Sequence, residues 1–396
     1  MVVYLDNNAT TEIDPQVLAA MLPYLSNLYG NPSSMHTFGG QVGAAVQEAR
    51  EHLAELLGAE ATEIIFTSCG TESNNTAIHA ALSAQPEKRH IVTTAVEHPA
   101  VLNVCQHLEK KGYTVTYLSV DRRGQLDLME VEAAITGGTA LVATMYANNE
   151  TGVVFPVEQI GAIAKEQGAT FLVDAVQAVG KVPLNLSTST IDLLTLSGHK
   201  FHAPKGVGAL YVRRGFKFRP FLLGGSQERG RRAGTQNVPG IIALGKAAEL
   251  ARTHLCDLGQ TRRLRDLLEK QLLAQIPNCE LNGGGTTRLA NTTNIGFKYI
   301  EGEAILLMLD REGICASSGS ACTSGSLDPS HVLKAMGLPY TILHGSIRFS
   351  LSRFTTESDI QHVLSVMPGI VQKLRDISPF NSDQADWLQE RDLVAA

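Results

Sequence analysis

Short apolar segments that alternate with helical patterns constrain the fold of this chain more than any other feature. Helical patterns lie between most of them, at Glu72–Ser83, Pro99–Lys110 and Val157–Gln167. The predicted strands are Glu63–Thr67, Ile91–Thr94, Val115–Leu118, Ala140–Met145, Phe171–Asp174, Leu193–Ser197 and Ala209–Val212. Several of these strands are apolar throughout, as expected when helices cover both faces of a sheet. We therefore predict a large α/β/α domain built on a mostly parallel, doubly wound sheet.

The rest of the chain predicts a second, smaller α+β domain. A long helix is expected from Val238 to about Gln275, and Pro277-Asn278 with Gly283-Gly284-Gly285 marks a boundary after it. The expected elements beyond it are strands Thr292–Gly296 and Ile347–Ser350 and helices Glu303–Leu309 and Glu357–Leu374. We predict that residues 14–255 form the large domain, and that residues 1–13 and 256–396 form the small one.

An amphipathic helix is predicted near the start of the chain. Asp14-Pro15 has the composition of an N-cap followed by proline at the first helical position. Leu18, Met21, Leu22 and Leu25 then follow at the spacing of one helical face. The spacing therefore predicts an amphipathic helix.

Composition and charge exclude several classes of protein. Hydrophobic residues make up 44% of the 396 residues, and charged residues 18%, which argues against disorder. A net charge of −6 disfavours a nucleic-acid partner, which requires a basic surface. No apolar run reaches the length of a membrane span, and the first residues do not resemble a signal peptide. The six cysteines are scattered without a C-x-x-C pair, so we expect a cytoplasmic protein without disulfides or an intrinsic metal site.

The most informative pair of side chains is Asp174 and Lys200. Asp174 ends one predicted buried strand, and Lys200 follows another. Ligands of such sheets bind beyond the carboxyl ends of the strands. A lysine can form a Schiff base with the aldehyde of pyridoxal 5′-phosphate (PLP), and an acid can keep a proton on its pyridine nitrogen. A solvated loop lysine is the alternative for Lys200, but the pairing with Asp174 favours a PLP site.

Two further segments could complete such a site. The turn Ser68–Thr71 links a strand to a helix, so its free N–H groups and the Thr71 hydroxyl suit a phosphate, although an ordinary capping turn has the same composition. His98 precedes Pro99 after a strand and could stack on a planar cofactor and transfer protons. The alternative is one ordinary histidine among twelve. Gln177, three residues after Asp174, could reach the same ligand.

Cys322 and Arg348 carry the remaining candidate chemistry. Cys322 lies in a run of ten small, mostly polar residues, 317–326, within an expected mobile loop at about 315–332. Cysteine is usually buried, so a cysteine on such a loop favours reactivity over an incidental small residue. Arg348 lies on the predicted strand Ile347–Ser350 and could hold a carboxylate by two hydrogen bonds, with a structural salt bridge as the alternative.

Together these segments resemble the PLP-dependent cysteine desulfurases, the NifS/IscS-like family with the class V aminotransferase fold. The resemblance covers nearly the whole chain and rests on the joint order of its motifs. These are Tyr4–Thr11, Gly70–Asn75, Glu97-His98, Asn148–Glu150, Asp174–Gln177, Ser197–Lys200, Arg231–Thr235, Ser320–Gly325 and Arg348–Ser350. Segments 198–206 and 227–232 look closer to the nitrogen-fixation branch of the family than to the housekeeping branch. Cys69-Gly70 departs from the Gly-Ala that relatives often have.

The resemblance implies a role for each candidate residue and the PLP-dependent transferase fold of type I. Lys200 carries the cofactor, Cys322 is the nucleophile, and His98 stacks on the ring and transfers protons. Asn149 and Arg348 bind the substrate carboxylate. The residues implied to hold PLP are Gly70, Thr71, Asn149, Asp174, Gln177, Ser197, His199, Lys200 and, from the other subunit of a homodimer, Thr235.

The implied activity is conversion of L-cysteine to L-alanine, with the sulfur held as a persulfide on Cys322. The sulfur then passes to a scaffold protein that assembles iron–sulfur clusters, for nitrogenase maturation if the branch assignment holds. A selenocysteine lyase or another class V PLP enzyme is the nearest alternative. A non-enzymatic scaffold that binds a metal or cluster through its cysteines is the alternative from a different class, and colour distinguishes it, because PLP gives a yellow protein and a cluster a brown one.

Overall fold

The computed structural model of the protein describes residues 2–318 and 329–379. The helices are α1 Pro15–Ser26, α2 Thr37–Leu57, α3 Gly70–Ala84, α4 Pro99–Glu109, α5 Leu128–Ala134, α6 Val157–Glu166, α7 Val238–His254, α8 Leu258–Gln275, α9 Gly302–Arg311, α10 His331–Ala335, α11 Tyr340–Leu343 and α12 Glu357–Ile377. The strands are β1 Val3–Tyr4, β2 Ile64–Thr67, β3 His90–Thr94, β4 Thr114–Leu118, β5 Thr139–Met145, β6 Thr170–Asp174, β7 Leu193–Ser197, β8 Gly208–Val212, β9 Cys279–Leu281, β10 Thr292–Phe297, β11 Ile314–Cys315 and β12 Ser346–Ser350.

A seven-stranded sheet forms the centre of the larger part of the molecule. Its strand order is β2-β8-β7-β6-β5-β3-β4, and β8 runs antiparallel to both of its neighbours while the other pairs are parallel. Each of the seven predicted strands is present, so the predicted fold class is confirmed. The carboxyl ends of β2, β5, β6 and β7 consequently lie at one edge of the sheet.

Helices cover both faces of this sheet because successive strand residues point in opposite directions. Leu172 of β6 belongs to one apolar cluster with residues of α3 and α4, such as Ile78 and Val101. Val173, the next residue, belongs to a second cluster with residues of α2, α6 and α7. The two clusters give the three-layer α/β/α arrangement that the apolar strands predict.

A third apolar cluster forms the core of the smaller part. The antiparallel sheet β12-β10-β9 packs with helices α8, α9 and α12 through residues such as Leu268 and Phe349. Val3 and Leu5, from the first residues of the chain, belong to this same cluster. We propose that the chain divides after residue 13 and again after residue 255, and the membership of Val3, Leu5 and Leu268 in the third cluster supports this division. Residues 332–342 depart from it, because Leu333 and Ile342 belong to the cluster of α2, α6 and α7.

The prediction of one helix from Val238 to about Gln275 is wrong. A short 3₁₀ turn at Leu255–Asp257 separates α7 from α8. The reason is packing, because Leu244 of α7 lies in a core cluster of the large sheet and Leu268 of α8 lies in the core of the smaller part. One straight helix could not bury both apolar stripes.

Helix α1 forms where predicted. The Asp14 carboxylate accepts a hydrogen bond from the Gln16 N–H, as expected of an N-cap. Val17 is fully buried, whereas Leu18, Leu22 and Leu25 are exposed. The predicted helix is therefore present, and it packs against α7 and the core through Val17. Within residues 2–318 and 329–379, no helix has the length and apolarity that crossing a membrane requires.

Candidate active site

A cavity of about 380 Å³ opens at the carboxyl edge of the large sheet. It brings together ten of the predicted site residues, which are Gly70, Thr71, His98, Asn149, Asp174, Gln177, Ser197, His199, Lys200 and Arg348. Thr235 does not line this cavity and is exposed on the single chain. Cys322 lies outside the residues that the structure describes.

Asp174 is the last residue of β6, and its carboxylate is held on two sides. Its Oδ2 accepts a hydrogen bond from Asn74 Nδ2 at 2.7 Å, and its Oδ1 accepts one from the Val176 N–H at 3.0 Å. The Thr195 hydroxyl donates to Asn74 Oδ1 and so fixes the amide. These contacts orient a buried acid toward the cavity, where it can accept a hydrogen bond from a protonated ring nitrogen.

Lys200 reaches the same cavity from the neighbouring strand. It ends a 3₁₀ turn, Gly198–Lys200, that directly follows β7. Its Nζ donates hydrogen bonds to the backbone carbonyls of Asn8 and Ala9, each at 2.7 Å. Residues 8 and 9 therefore hold the amine beside the cavity wall.

The N-terminus of α3 provides the features of a phosphate site. Gly70 begins this 15-residue helix, and a side chain there would place its Cβ 2.8 Å from Val176 Cγ2, so glycine permits a close approach. The buried Ser197 hydroxyl has no hydrogen-bond partner among the described residues and lines the cavity beside Gly70. An orphaned hydroxyl and the unpaired N–H groups of a helix N-terminus together suit an anion.

Histidine 199 adds a neutral ring to this end of the cavity. Burial lowers the pKa of His199 to about 4, and the charges of Lys200, Lys205 and Lys181 act in the same direction. Its Nδ1 lies 3.2 Å from the Thr10 hydroxyl. The ring is consequently uncharged at neutral pH and can donate one N–H to a ligand.

An ion pair ties the arginine-rich turn before Thr235 to the phosphate end. The Arg232 guanidinium makes two hydrogen bonds, at 2.8 and 3.1 Å, to the carboxylate of Glu72 in α3. Glu72 also accepts a hydrogen bond from the Ser68 N–H at 2.8 Å. These contacts hold the pKa of Glu72 below its usual value against the opposing effect of burial.

His98 covers the cavity from the start of α4. Its Nδ1 accepts a hydrogen bond from the Ala100 N–H at 3.0 Å, so a neutral ring carries its proton on Nε2. Burial lowers the pKa of His98; Lys200 and His331 act in the same direction, and Asp174 opposes them. A neutral ring with a defined tautomer suits proton transfer.

Arg348 is buried in β12 and already carries a salt bridge. Its Nη2 lies 2.7 Å from Asp6 Oδ1, and its Nη1 donates to the carbonyl of Asn149 at 3.1 Å. Its Nε has no hydrogen-bond partner among the described residues. Arg348 therefore forms the structural salt bridge that was the alternative prediction. Its Nε–H is the donor that remains for a carboxylate.

Described residues on each side of 319–328 pair with residues near this cavity. Ser317 exchanges two backbone hydrogen bonds with Arg348, at 3.2 and 2.6 Å. On the other side, the Ser330 hydroxyl donates to the buried carboxylate of Glu150 at 2.5 Å. His331 Nε2 lies 2.9 Å from the carbonyl of Glu97.

Glu97, beside His98, predicts a pH-dependent stability. Its carboxyl is fully buried and accepts hydrogen bonds at Oε1 from the Thr94 hydroxyl and the Met145 N–H. Burial raises the pKa of Glu97 from 4.5 to about 8, and the charge of Asp174 acts in the same direction. The folded state therefore keeps a proton that the unfolded chain loses, so stability falls as pH rises between these values, by roughly 1.4 kcal/mol per pH unit.

Glu97→Gln should remove this dependence, because glutamine resembles the protonated carboxyl and does not ionise. We expect the apparent free energy of unfolding in urea to fall less steeply for this variant from about pH 5 to about pH 8. The matched control is Glu166→Gln on the exposed surface of α6, which should follow the wild type. Equal slopes for wild type and Glu97→Gln would show that Glu97 is ionised in the folded protein.

Three residues of the site were not assigned a role from the sequence. Asn74 orients Asp174, Asn8 accepts from Lys200, and Lys181 donates to Gln177 Oε1 at 2.8 Å. The four-residue spacing of Gln177 and Lys181 was the one available signal, since it is the spacing of neighbours on a helical turn. The contacts of Asn8 join residues far apart in sequence and leave no local pattern.

Known proteins match this chain over nearly its whole length. Residues 3–363 match the family described as aminotransferase class-V. "Cysteine desulfurase 2" of Trichormus variabilis is 75% identical over 395 residues, which cover 100% of this chain and 99% of the relative. "Cysteine desulfurase NifS" of Azotobacter vinelandii is 56% identical over 380 residues, or 96% and 94% of the two chains. A solved structure described as a NifS-like protein has a TM-score of 0.89 and 39% identity, over 94% of this chain and 100% of that one.

Proposed function

The chain belongs to the class-V aminotransferase family, and on that premise we propose that it is a PLP-dependent cysteine desulfurase. It converts L-cysteine to L-alanine and holds the sulfur as a persulfide on Cys322. The observation that carries the proposal is the placement of Asp174 and Lys200 at the ends of two adjacent parallel strands, facing one cavity. The names of the relatives support the choice of substrate.

The residues that line the cavity fit PLP. The orphaned Ser197 hydroxyl, Thr71, His199 and the N–H groups that follow Gly70 would hold the phosphate. Asp174 would hold the ring nitrogen and Gln177 the ring oxygen, with His98 stacked on the ring. Asn149 lies in the same wall as Arg348. When bound, PLP supplies an aldehyde that condenses with an amine and a ring that accepts the electrons of a broken Cα–H bond.

Four described residues act on the proton and the carboxylate of the substrate. The Lys200 amine, which faces the cavity, would act as the base that removes the α-proton of the substrate. His98, neutral and protonated on Nε2, passes protons between the reacting atoms and water. The free Nε of Arg348, with Asn149 beside it, orients the carboxylate of the substrate.

Cys322 determines the product. Its thiolate attacks the sulfur of the bound cysteine, so that an S–S bond forms as the Cβ–S bond breaks. Cysteine differs from alanine by one sulfur atom, and a persulfide differs from a thiol by the same atom. The reaction therefore balances without an external oxidant or reductant, and the carbon skeleton leaves as alanine once protons have returned to it.

The reach of the chain is compatible with this role for Cys322. Cys322 is four positions after Ser318, and four residues of fully extended chain span at most about 14 Å. The neighbouring Ser317 is paired with Arg348, which lines the cavity. The backbone pairing at Ser317 thus supports a nucleophile that comes from this side of the site.

The remaining parts of the proposal concern partners and location. Thr235, exposed on the single chain, would reach the phosphate in the other subunit of a homodimer. The persulfide would pass to an iron–sulfur scaffold protein in the cytoplasm, and the NifS name of the relative supports a supply to nitrogenase. Neither nucleic acid nor membrane has a role in this proposal.

Mass spectrometry after exposure to L-cysteine tests the function. The purified protein should be yellow and lose its colour to hydroxylamine; a brown protein would indicate a cluster scaffold instead. With L-cysteine it should gain the mass of one sulfur atom on the peptide that carries Cys322, and release alanine. L-Serine is the control and should leave the protein unchanged. Added sulfur on Cys69, which also lines the cavity, would contradict the assignment of the nucleophile.

A further inference from the structure

Lys181 is a lysine beside the active site that the proposed chemistry does not use. It does not line the cavity of the candidate site, but it lines an adjacent cavity of about 390 Å³ together with Lys200. Its Nζ donates hydrogen bonds to Gln177 Oε1 at 2.8 Å and to Asn8 Oδ1 at 3.2 Å. It therefore contacts Gln177, which lines the candidate site, and Asn8, whose backbone carbonyl accepts a hydrogen bond from Lys200.

The contact with Lys181 determines which way the Gln177 amide points. An ammonium group has donors only, so it requires the amide oxygen of Gln177 on its side. The Gln177 Nε2 group then lies opposite and donates to the Asn8 carbonyl at 2.9 Å. A rotated amide would place N–H donors against the ammonium and an oxygen against the Asn8 carbonyl, so both contacts would become repulsive.

Asn8 is oriented by the same lysine. Its Oδ1 accepts from Lys181 Nζ and also from Asn291 Nδ2 at 3.0 Å. Its Nδ2 consequently faces the Thr292 hydroxyl, to which it donates at 2.9 Å. Its backbone carbonyl accepts from both Gln177 Nε2 and Lys200 Nζ.

We infer that Lys181 is a positioning residue that fixes the Gln177 amide so that a bound PLP ring oxygen meets an N–H donor rather than a carbonyl oxygen. The inference rests on the proposed function, in which Gln177 faces that ring oxygen. A donor stabilises the ionised ring oxygen, whereas an amide oxygen would repel it. Lys181 thereby affects the affinity for the cofactor and its colour without touching it.

Burial and two neighbouring cations act on the charge of this lysine. Burial lowers the pKa of Lys181 to about 7, and the charges of Lys200 and Arg348 act in the same direction. The experiment is therefore best made near about pH 6, where the ammonium form prevails.

Lys181→Met should weaken PLP binding about 10-fold, the loss expected for one hydrogen bond to a charged or strongly polar group. It should also reduce the fraction of bound cofactor that absorbs in the yellow form, which absorbance spectroscopy measures. Fluorescence titration with PLP gives the dissociation constant. Lys181→Arg should behave as the wild type, because a guanidinium also has donors only. Lys217→Met, a change of an exposed lysine that lines neither cavity, is the matched control and should have no effect.

A double-mutant cycle separates this role from a structural one. In a Gln177→Leu background, Lys181→Met should change PLP affinity and colour little, because its effect passes through the amide. Additive effects of the two changes would overturn the inference, as would a Lys181→Met variant that matches Lys217→Met. If Lys181→Met does not fold, Lys181→Gln replaces it in the cycle, since glutamine can donate or accept and fixes no orientation. A wild-type protein that binds no PLP would instead overturn the proposed function, and this inference with it.

Discussion

Cys322→Ala should abolish alanine formation while leaving the cofactor site intact. The variant should stay yellow and should still bind L-cysteine, because none of the described residues around PLP is changed. Without the thiolate, however, nothing attacks the substrate sulfur, and we expect turnover to fall by roughly 10³-fold or more. Amino-acid analysis of the alanine released, with mass spectrometry of the protein, measures both products.

The matched control for this variant is Cys256→Ala. Cys256 is an exposed cysteine at the turn between α7 and α8, outside the candidate site, so its loss should leave turnover unchanged. Sulfide release and alanine formation at the wild-type rate by Cys322→Ala would remove Cys322 from the mechanism. Sulfide released together with pyruvate and ammonia, rather than alanine, would instead indicate direct elimination at the cofactor site.

Lys200→Arg should lose the covalent attachment of PLP and most of the activity. Arginine retains hydrogen-bond donors for the carbonyls of Asn8 and Ala9, which Lys200 contacts. Its guanidinium does not condense with an aldehyde and is too weak a base to remove the α-proton, so we expect a loss of turnover of roughly 10³-fold or more. Borohydride reduction followed by peptide mapping should find the cofactor on Lys200 in the wild type and nowhere in the variant.

Lys205→Arg serves as the control for this second variant. Lys205 is exposed and five residues further along the chain, and it lines neither of the two cavities beside Lys200. It should retain both the attachment and the activity. Covalently bound cofactor in Lys200→Arg would assign the attachment to another lysine, and Lys181 is the nearest candidate because it lines a cavity with Lys200.

The sequence predicted the large sheet well because its strands are decided by local composition. Residues 171–174 are apolar up to the aspartate, and both faces of that strand are covered, so each residue is buried in whichever direction it points. The placement of Asp174 and Lys200 followed from the same rule, since both come at carboxyl ends of parallel strands. The sequence therefore predicted the site residues that the sheet positions, which are Asp174 and Lys200.

Features decided by contacts between distant parts of the chain were not predictable in this way. The apolar spacing of α1 indicated a helix, but not that Val17 rather than Leu22 would be buried. Residues 255–257, where the two helices are divided, contain no proline or glycine. The break arises because α7 and α8 pack into different apolar cores. The role of Lys181 likewise depends on Asn8, which lies 173 residues away in sequence.

The way in which Asn7 and Asn8 are held has a consequence for synthesis of the protein. Asn7 Nδ2 donates to the Ser350 carbonyl and the Asn8 N–H donates to the Ser350 hydroxyl, across 343 and 342 residues. At 5–20 residues per second, a ribosome needs roughly 17 to 70 seconds to add that length of chain. Throughout that interval the nascent protein lacks the contacts that fix the carbonyl facing Lys200. We therefore expect the nascent chain to acquire its cofactor only after Ser350 has been synthesised and has left the ribosome.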